Sequence, residues 1–107
     1  MSPRRRFELI YAPEVKKHLE RIERKYYGLI RREIEAQLQS EPDVETRNRK
    51  PLRGSLALEA DWEMRVGPGN RFRVFYQMEP SERTVYILAI GVKEQNRLVI
   101  GGEEIEL

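Results

Sequence analysis

The chain has 107 residues, enough for one modest hydrophobic core, and we predict a single domain over residues 1–107. It has no cysteine and one histidine, which excludes disulfides, thiolate metal sites and histidine clusters, and we expect neither a metal nor a cofactor. The formal net charge of +2 is weak support for a nucleic-acid partner, so the distribution of the charges matters more than their sum.

The sequence contains no segment typical of membrane insertion or export. No apolar run is long enough to cross a bilayer. The arginines near the start of the chain are not followed by an apolar signal segment. We therefore expect a cytoplasmic location and no membrane partner.

The first part of the chain predicts one strand followed by two helices. Residues 7–11 are typical of a short strand. Pro13 suits the first turn of a helix, and apolar residues recur at helical spacing over residues 13–26 and again over residues 29–38. Gly28 separates the two stretches. We expect two helices joined by a short connection, that is, an αα-hairpin.

A basic segment precedes an arginine-rich hairpin in the middle of the chain. Residues 44–60 look mostly irregular, and within them four cations occur with no acid between the first and the last: Arg47, Arg49, Lys50 and Arg53. Residues 61–66 and 71–77 then alternate apolar and charged side chains around a glycine-rich turn. This alternation predicts two strands, each with one face in the core and one in water.

The pairing of the two strands decides which charges meet. A five-residue loop sets Arg65 opposite Arg73, and a three-residue loop sets Arg65 opposite Arg71. In both cases we expect Glu63 and the three arginines to emerge on the wet face. Like charges opposite one another destabilise a strand pair, so this arrangement favours a bound anion such as an RNA phosphate.

The last part of the chain completes an α+β fold. Residues 84–90 are nearly all apolar, which predicts a central strand. Residues 96–100 predict a helical turn or a short strand. The expected order is β-α-α-β-β-β, a mainly antiparallel sheet with the helical hairpin packed on one face.

Three segments in this order resemble the RelE/ParE toxin superfamily. They are Lys50-Pro51-Leu52-Arg53-Gly54, Phe72-Arg73-Val74-Phe75-Tyr76-Gln77 and Ile90-Gly91-Val92-Lys93-Glu94, and the resemblance covers residues 7–94. It implies a small bacterial toxin of a type II toxin–antitoxin system. RelE-like members cleave mRNA in the ribosomal A site with basic residues and no metal, whereas ParE-like members poison DNA gyrase.

The RelE-type pattern implies candidate catalytic residues. Arg65, Arg73 and Lys93 occupy its cationic positions, and Glu63 stands where the pattern has a lysine. The two arginines would offset charge on the phosphorane, and the lysine would stabilise charge or act as an acid. Glu63 is either the general base or the partner of Arg71 or Arg73 in a solvated cross-strand ion pair, and we favour the ion pair.

Other side chains have positioning or structural roles in this interpretation. We expect His18 to be structural or exposed, and Phe75 and Tyr27 to be candidates for stacking on a base or contacting a partner helix. Trp62, Phe72 and Tyr76 are assigned to the core. The residues expected to contact and position RNA phosphates are Arg47, Arg49, Lys50, Arg53 and Arg71.

The resemblance and the basic surface together favour a RelE-like toxin, a ribosome-dependent endoribonuclease that inhibits translation. Its expected partners are the ribosome, mRNA and a cognate antitoxin, with which it would form a hetero-oligomer. The antitoxin would cover the basic face or displace the segment after Lys93. Two alternatives remain: a ParE-like gyrase inhibitor, and a member without catalytic activity that only binds the antitoxin.

Overall fold

A seven-stranded sheet with two helices on one face forms the fold. The computed structural model describes residues 6–52 and 59–105, and within them neither helix is long and apolar enough to cross a membrane. The elements are β1 (Glu8–Tyr11), α1 (Glu14–Leu19), α2 (Tyr27–Leu38), β2 (Arg49–Pro51), β3 (Trp62–Val66), β4 (Phe72–Glu79), β5 (Thr84–Glu94), β6 (Arg97–Ile100) and β7 (Glu103–Ile105).

The long strand β5 organises the sheet. The order is β2-β3-β4-β5-β6-β7, with every neighbouring pair antiparallel, and β1 pairs with β5 in parallel. β4 occupies one edge of β5. On the other edge, β1 pairs with the segment from Thr84 to Ile87, and β6 pairs with the segment from Val92 to Glu94. β1 and β6 therefore lie end to end along the same edge of β5.

The predicted α+β class and the helices on one face of a mainly antiparallel sheet are confirmed, but the element bounds differ. The first helix ends at Leu19 instead of continuing to residue 26, and a 3-10 helix, Arg24–Tyr26, leads into α2. Ile22, which the helical pattern assigned to the apolar face, is buried although it lies outside both helices. The turn between α1 and the 3-10 helix keeps it facing the core. β6 confirms the strand alternative, whereas β2 and β7 were not predicted.

The main core lies between the helices and the sheet. Phe72 and Tyr76 are fully buried there, and Trp62 packs against this core with its ring stacked on Tyr76 at 6.1 Å. The predicted core positions of these three aromatic residues are confirmed. The other fully buried members come from both layers and include Ile30, Ile34, Leu38, Met64, Val74, Val85 and Ile87.

A smaller apolar cluster covers part of the opposite face of the sheet, called here the second face. Phe75 and Ala89 on the central strands pack there with Leu98 and Ile100 of β6. β6 closes on β5 because residue 91 is glycine: a Cβ at Gly91 would lie 2.8 Å from Ile100 Cγ1. Phe75 is 0 % exposed, so the expectation that it stacks on a base is wrong.

Candidate functional site

The hairpin β3–β4 sets the geometry of the candidate site. Arg65 lies opposite Arg73, as the five-residue loop predicted, and Glu63 lies opposite Phe75. Gly67 begins the connection with φ +87°, a left-handed conformation that a side chain would strain. Alternation from Phe75 therefore places all three charged side chains on the second face of the sheet.

Glu63 forms the centre of a charged cluster, called here the Glu63 cluster, with Arg65 and Arg73. Its Oε1 lies 3.4 Å from Arg65 Nε and 3.4 Å from an amino nitrogen of Arg73. The predicted ion pair between Glu63 and Arg73 is confirmed. The expectation that the pair is solvated is wrong, because the side chains of Glu63 and Arg73 are only 11 % and 13 % exposed.

Arg73 is held from two directions. Its Nε donates to the backbone carbonyl of Asn70 at 3.2 Å, while the other end of the guanidinium contacts Glu63. Burial lowers the pKa of Arg73 from its ordinary value, Glu63 opposes that change, and Arg65 adds to it. The result is a fixed cation with little freedom to turn toward a substrate.

Lys93 joins the same face of the sheet from β5. Gly91 lies opposite Arg73, and Lys93 is two residues further along, so their side-chain positions share the second face. The backbone N–H of Lys93 donates to the carbonyl of Arg71 at 2.7 Å, and its side chain is half-buried. The structure thus brings the three cations of the RelE-type pattern onto one face.

Arg49 does not belong to the surface. It is 4 % exposed, and its guanidinium donates to the carbonyl of Val44, to Gln37 Oε1 and to a carboxylate oxygen of Glu41. This arginine joins the start of β2 to the end of α2 and to the loop after it. The expectation that it contacts a phosphate is therefore corrected: its donors are used inside the protein.

The remaining basic residues divide by position. Arg47 and Lys50 are exposed, and Lys50 lies beside Glu63 in register, at the margin of the second face. Arg53 lies outside the described residues. Arg71 is exposed at the tip of the hairpin, where its guanidinium carbon is 5.7 Å from the centre of the Phe72 ring.

His18 has the structural role that the sequence predicted. Its Nδ1 accepts a hydrogen bond from the backbone N–H of Ile90 at 3.3 Å, at the point on β5 between the segments that pair with β1 and β6. Burial lowers the pKa of His18, and Glu14 acts in the opposite direction. The neutral imidazole thus satisfies a donor that neither neighbouring strand reaches.

A groove between β1 and the two helices was missed by the sequence analysis. It has a volume of about 980 Å³. Its lining residues from the helices recur at helical spacing and so resembled ordinary core, and Tyr11 of β1, 42 % exposed, marks the open site in the structure. The apolar lining includes Leu9, Tyr11, Val15, Leu19, Ile30 and Ile34.

Comparison with known proteins agrees with this fold and with the predicted superfamily. A family model described as the ParE toxin of the type II toxin–antitoxin system parDE matches residues 9–97. A search among curated proteins gives no match. The family match covers most of the chain, and the chain therefore belongs to the ParE toxins, within the RelE/ParE superfamily, as the toxin of a type II toxin–antitoxin system with a cognate antitoxin.

Proposed function

We propose that this toxin stops growth by binding DNA gyrase and not by cleaving RNA. The observation that carries the proposal is the state of Glu63, the one candidate base of the RelE-type arrangement in this chain. It is buried, and both candidate catalytic arginines contact a single oxygen of its carboxylate. Gyrase is the target that kinship with ParE toxins implies.

The geometry explains why the Glu63 cluster favours binding. A general base must come within about 2.6–3.2 Å of the 2′-hydroxyl that it deprotonates. Glu63 is 11 % exposed, and Arg73 is already fixed by two internal acceptors, so neither side chain is presented to an RNA strand. Arg65, whose side chain is 37 % exposed, and the half-buried Lys93 remain accessible on this face, and such cations suit association with a negatively charged surface, which requires no proton transfer.

A second candidate function is ribosome-dependent mRNA cleavage. The observation in its favour is that Arg65, Arg73 and Lys93 share one face of the sheet. For these cations to reach a scissile phosphate, the contact between Glu63 and Arg73 would have to open on the ribosome. Lys93 would then supply the acid, and the cluster would stabilise the phosphorane.

Induced expression separates the two functions. We expect the gyrase reaction, followed as plasmid supercoiling, to fail before amino-acid incorporation does. Purified toxin should also inhibit purified gyrase and leave mRNA intact on programmed ribosomes. Cleaved mRNA with unaffected supercoiling would establish the second candidate. Growth equal to that of an empty vector, with the protein present in the soluble fraction, would contradict both.

We also propose that the groove beside β1 receives an apolar segment of the antitoxin. Ile10 and Tyr11 are 40 % and 42 % exposed at this strand, and within residues 6–52 and 59–105 no strand pairs with its outer edge. An added strand would use the free backbone groups of that edge, and its apolar side chains would enter the groove. The neutralised toxin would thus be covered on the side away from the Glu63 cluster.

The antitoxin proposal is tested by comparing Tyr11→Lys with removal of residues 102–107. Tyr11→Lys should weaken antitoxin binding at least tenfold, because it places a charge in an apolar interface, and the truncation should weaken it less. Both variants need a melting curve close to that of the parent. The reverse order of effects would place the antitoxin on the C-terminal strands.

A further inference from the structure

Arg71 rests on two aromatic rings at the tip of the hairpin. Its guanidinium carbon lies 5.8 Å from the centre of the Tyr26 ring and 5.7 Å from that of Phe72. The two rings contact each other, with centroids 5.0 Å apart. Tyr26 is partly exposed and Phe72 is buried, so the pair forms a platform anchored in the main core.

This mode of support leaves the hydrogen-bonding capacity of Arg71 available. A cation–π contact attracts the charge through the ring face and uses none of the guanidinium N–H donors. Arg49 and Arg73 differ, since internal acceptors occupy their donors. Arg71 forms no ion pair with any residue in the described part of the chain, so its charge is oriented but not neutralised.

One lysine extends the cationic surface beside Arg71. Lys25 Nζ lies 5.2 Å from the centre of the Tyr26 ring. Glu23 contacts Lys25 at 3.6 Å, but both side chains are well exposed, so water screens this pair. Arg71 and Lys25 therefore both lie against the Tyr26 ring.

We propose that Arg71 and Lys25 bind the phosphodiester backbone of a nucleic acid, and that Tyr26 positions the arginine for this contact. A guanidinium supported by ring faces keeps its N–H donors for an anion, and its fork matches two phosphate oxygens. The proposal goes beyond both candidate functions: the gyrase function names a protein target, and mRNA cleavage uses the three cations of the second face and not Arg71.

The first test measures binding of the purified toxin to a short duplex DNA and to a single-stranded RNA of equal length, by fluorescence anisotropy over a range of salt concentrations. Arg71→Ala should weaken binding and lower the slope of log affinity against log salt by about 1, the contribution of one phosphate contact. Arg31→Ala is the matched control: it removes an exposed arginine paired with Glu35 on α2. Its slope should stay close to the parent value.

The second test isolates the role of the ring. Tyr26→Phe keeps the aromatic face and should bind nucleic acid like the parent. Tyr26→Leu keeps an apolar side chain without the ring face and should weaken binding toward the level of Arg71→Ala. Because Tyr26 packs against the core, each variant is compared at matched thermal stability, so that a folding defect is not taken for a binding defect.

Several results would overturn the proposal. These are no binding to either nucleic acid at low salt, an Arg71→Ala variant that behaves like Arg31→Ala, or a Tyr26→Phe variant as weak as Tyr26→Leu. If Arg71→Ala retains nucleic-acid affinity but loses gyrase binding, the site contacts protein instead. Gyrase inhibition is measured in a separate assay, so failure of the gyrase proposal is distinguishable from failure of the nucleic-acid proposal. Stronger binding of duplex DNA or of RNA identifies which nucleic acid the site takes.

Discussion

Arg65 and Arg73 lie directly opposite each other on neighbouring strands, and each contacts the same oxygen of Glu63 at 3.4 Å. Facing arginines normally destabilise a strand pair, and the sequence therefore suggested a bound anion. The structure shows that the protein supplies an anion itself. Glu63 is buried between the two guanidinium groups, so the like-charge pair is stabilised from within the sheet.

The first prediction concerns this carboxylate. Glu63→Gln keeps the size of the side chain and removes its charge, which leaves two arginines facing each other. We expect the free energy of unfolding to fall by about 1–3 kcal/mol, the range for a lost charged hydrogen bond at a buried position. Chemical denaturation of the purified variant measures the change.

The control for Glu63→Gln is Glu104→Gln. Glu104 contacts Arg97 at 3.9 Å, and both side chains are more than half exposed, so its loss should change stability by less than about 1 kcal/mol. Equal effects of the two substitutions would mean that the buried cluster contributes no more than a surface pair. Glu63→Gln should remain toxic if the toxin acts by binding gyrase, because binding requires no base. It should lose toxicity if the toxin cleaves RNA with Glu63 as the base.

Replacement of Arg49 is the second prediction. Arg49→Ala leaves the carbonyl of Val44 and the amide oxygen of Gln37 without their donor, and it frees Glu41 from its partner. We expect a loss on the order of 3 kcal/mol in the free energy of unfolding. Arg47→Ala, an exposed neighbour, should stay within about 0.5 kcal/mol of the parent. Similar losses for both variants in denaturant titrations would contradict a structural role for Arg49.

A third prediction tests the close approach of β5 and β6. Gly91→Ala would place a methyl group 2.8 Å from Ile100 Cγ1 and 3.0 Å from the carbonyl of Val99, so the two strands must separate. We expect destabilisation of about 1–3 kcal/mol. Gly28→Ala is the matched control, and we expect it to change the free energy of unfolding in the opposite direction. Gly28 is in α2, where alanine should stabilise the protein by about 0.5–1 kcal/mol.

The melting temperatures of the two glycine variants should move in opposite directions. If Gly91→Ala melts like the parent, the second face is loosely packed, and the pairing of β6 with β5 does not require glycine at residue 91. A normal melting temperature together with altered toxicity would instead place residue 91 in the functional surface.

The fourth prediction is a pH dependence centred on His18. Its pKa in the folded protein lies below the ordinary 6.5, because burial disfavours the charged imidazole more than Glu14 favours it. The stability that depends on neutral His18 is therefore complete above about pH 6.5 and is lost as the pH falls through the lower, folded pKa. Protonation at Nδ1 also removes the acceptor for the N–H of Ile90.

The pH dependence is tested by measuring the free energy of unfolding from about pH 7.5 to 5.5 for the parent and for His18→Gln. The parent should lose stability more steeply than the variant toward the acidic end. His18 is the sole histidine in the sequence, so a difference between the two curves is assigned without ambiguity. Parallel curves would show that protonation of the imidazole is not coupled to folding.

The local pattern predicted much of the hairpin and the main core. Alternation along the two strands identified their core faces, and the odd loop length limited the register to two alternatives, of which the structure has the one with Arg65 opposite Arg73. The core faces and the register of a hairpin depend on residues that are close in sequence, so the apolar pattern is enough to predict them. The structural role of His18 was predictable for the same reason, from its position at the edge of the apolar stripe.

Features that depend on remote segments were not predictable. The face expected to be in water is half covered, because Leu98 and Ile100 arrive from a strand near the C-terminus and pack on Phe75. Arg49 was taken for a surface cation since arginine is seldom buried, and its acceptors come from α2 and the following loop. The groove beside β1 has no sequence signal, since a lining residue and a core residue have the same polarity.

The parallel pairing of β1 with β5 also determines when β1 can join the sheet during synthesis of the chain. Glu8 aligns with Thr84, so among the described strands β1 has no partner until β5 has left the ribosome. A contact between residues so distant along the chain forms late and slowly, because its loop must close first. A nascent chain that lacks β5 thus carries an unpaired β1 and a main core without Val85 and Ile87. A chain truncated before β5 should therefore be cut by proteases faster than the full-length toxin, because its first strand is unpaired and its core is incomplete.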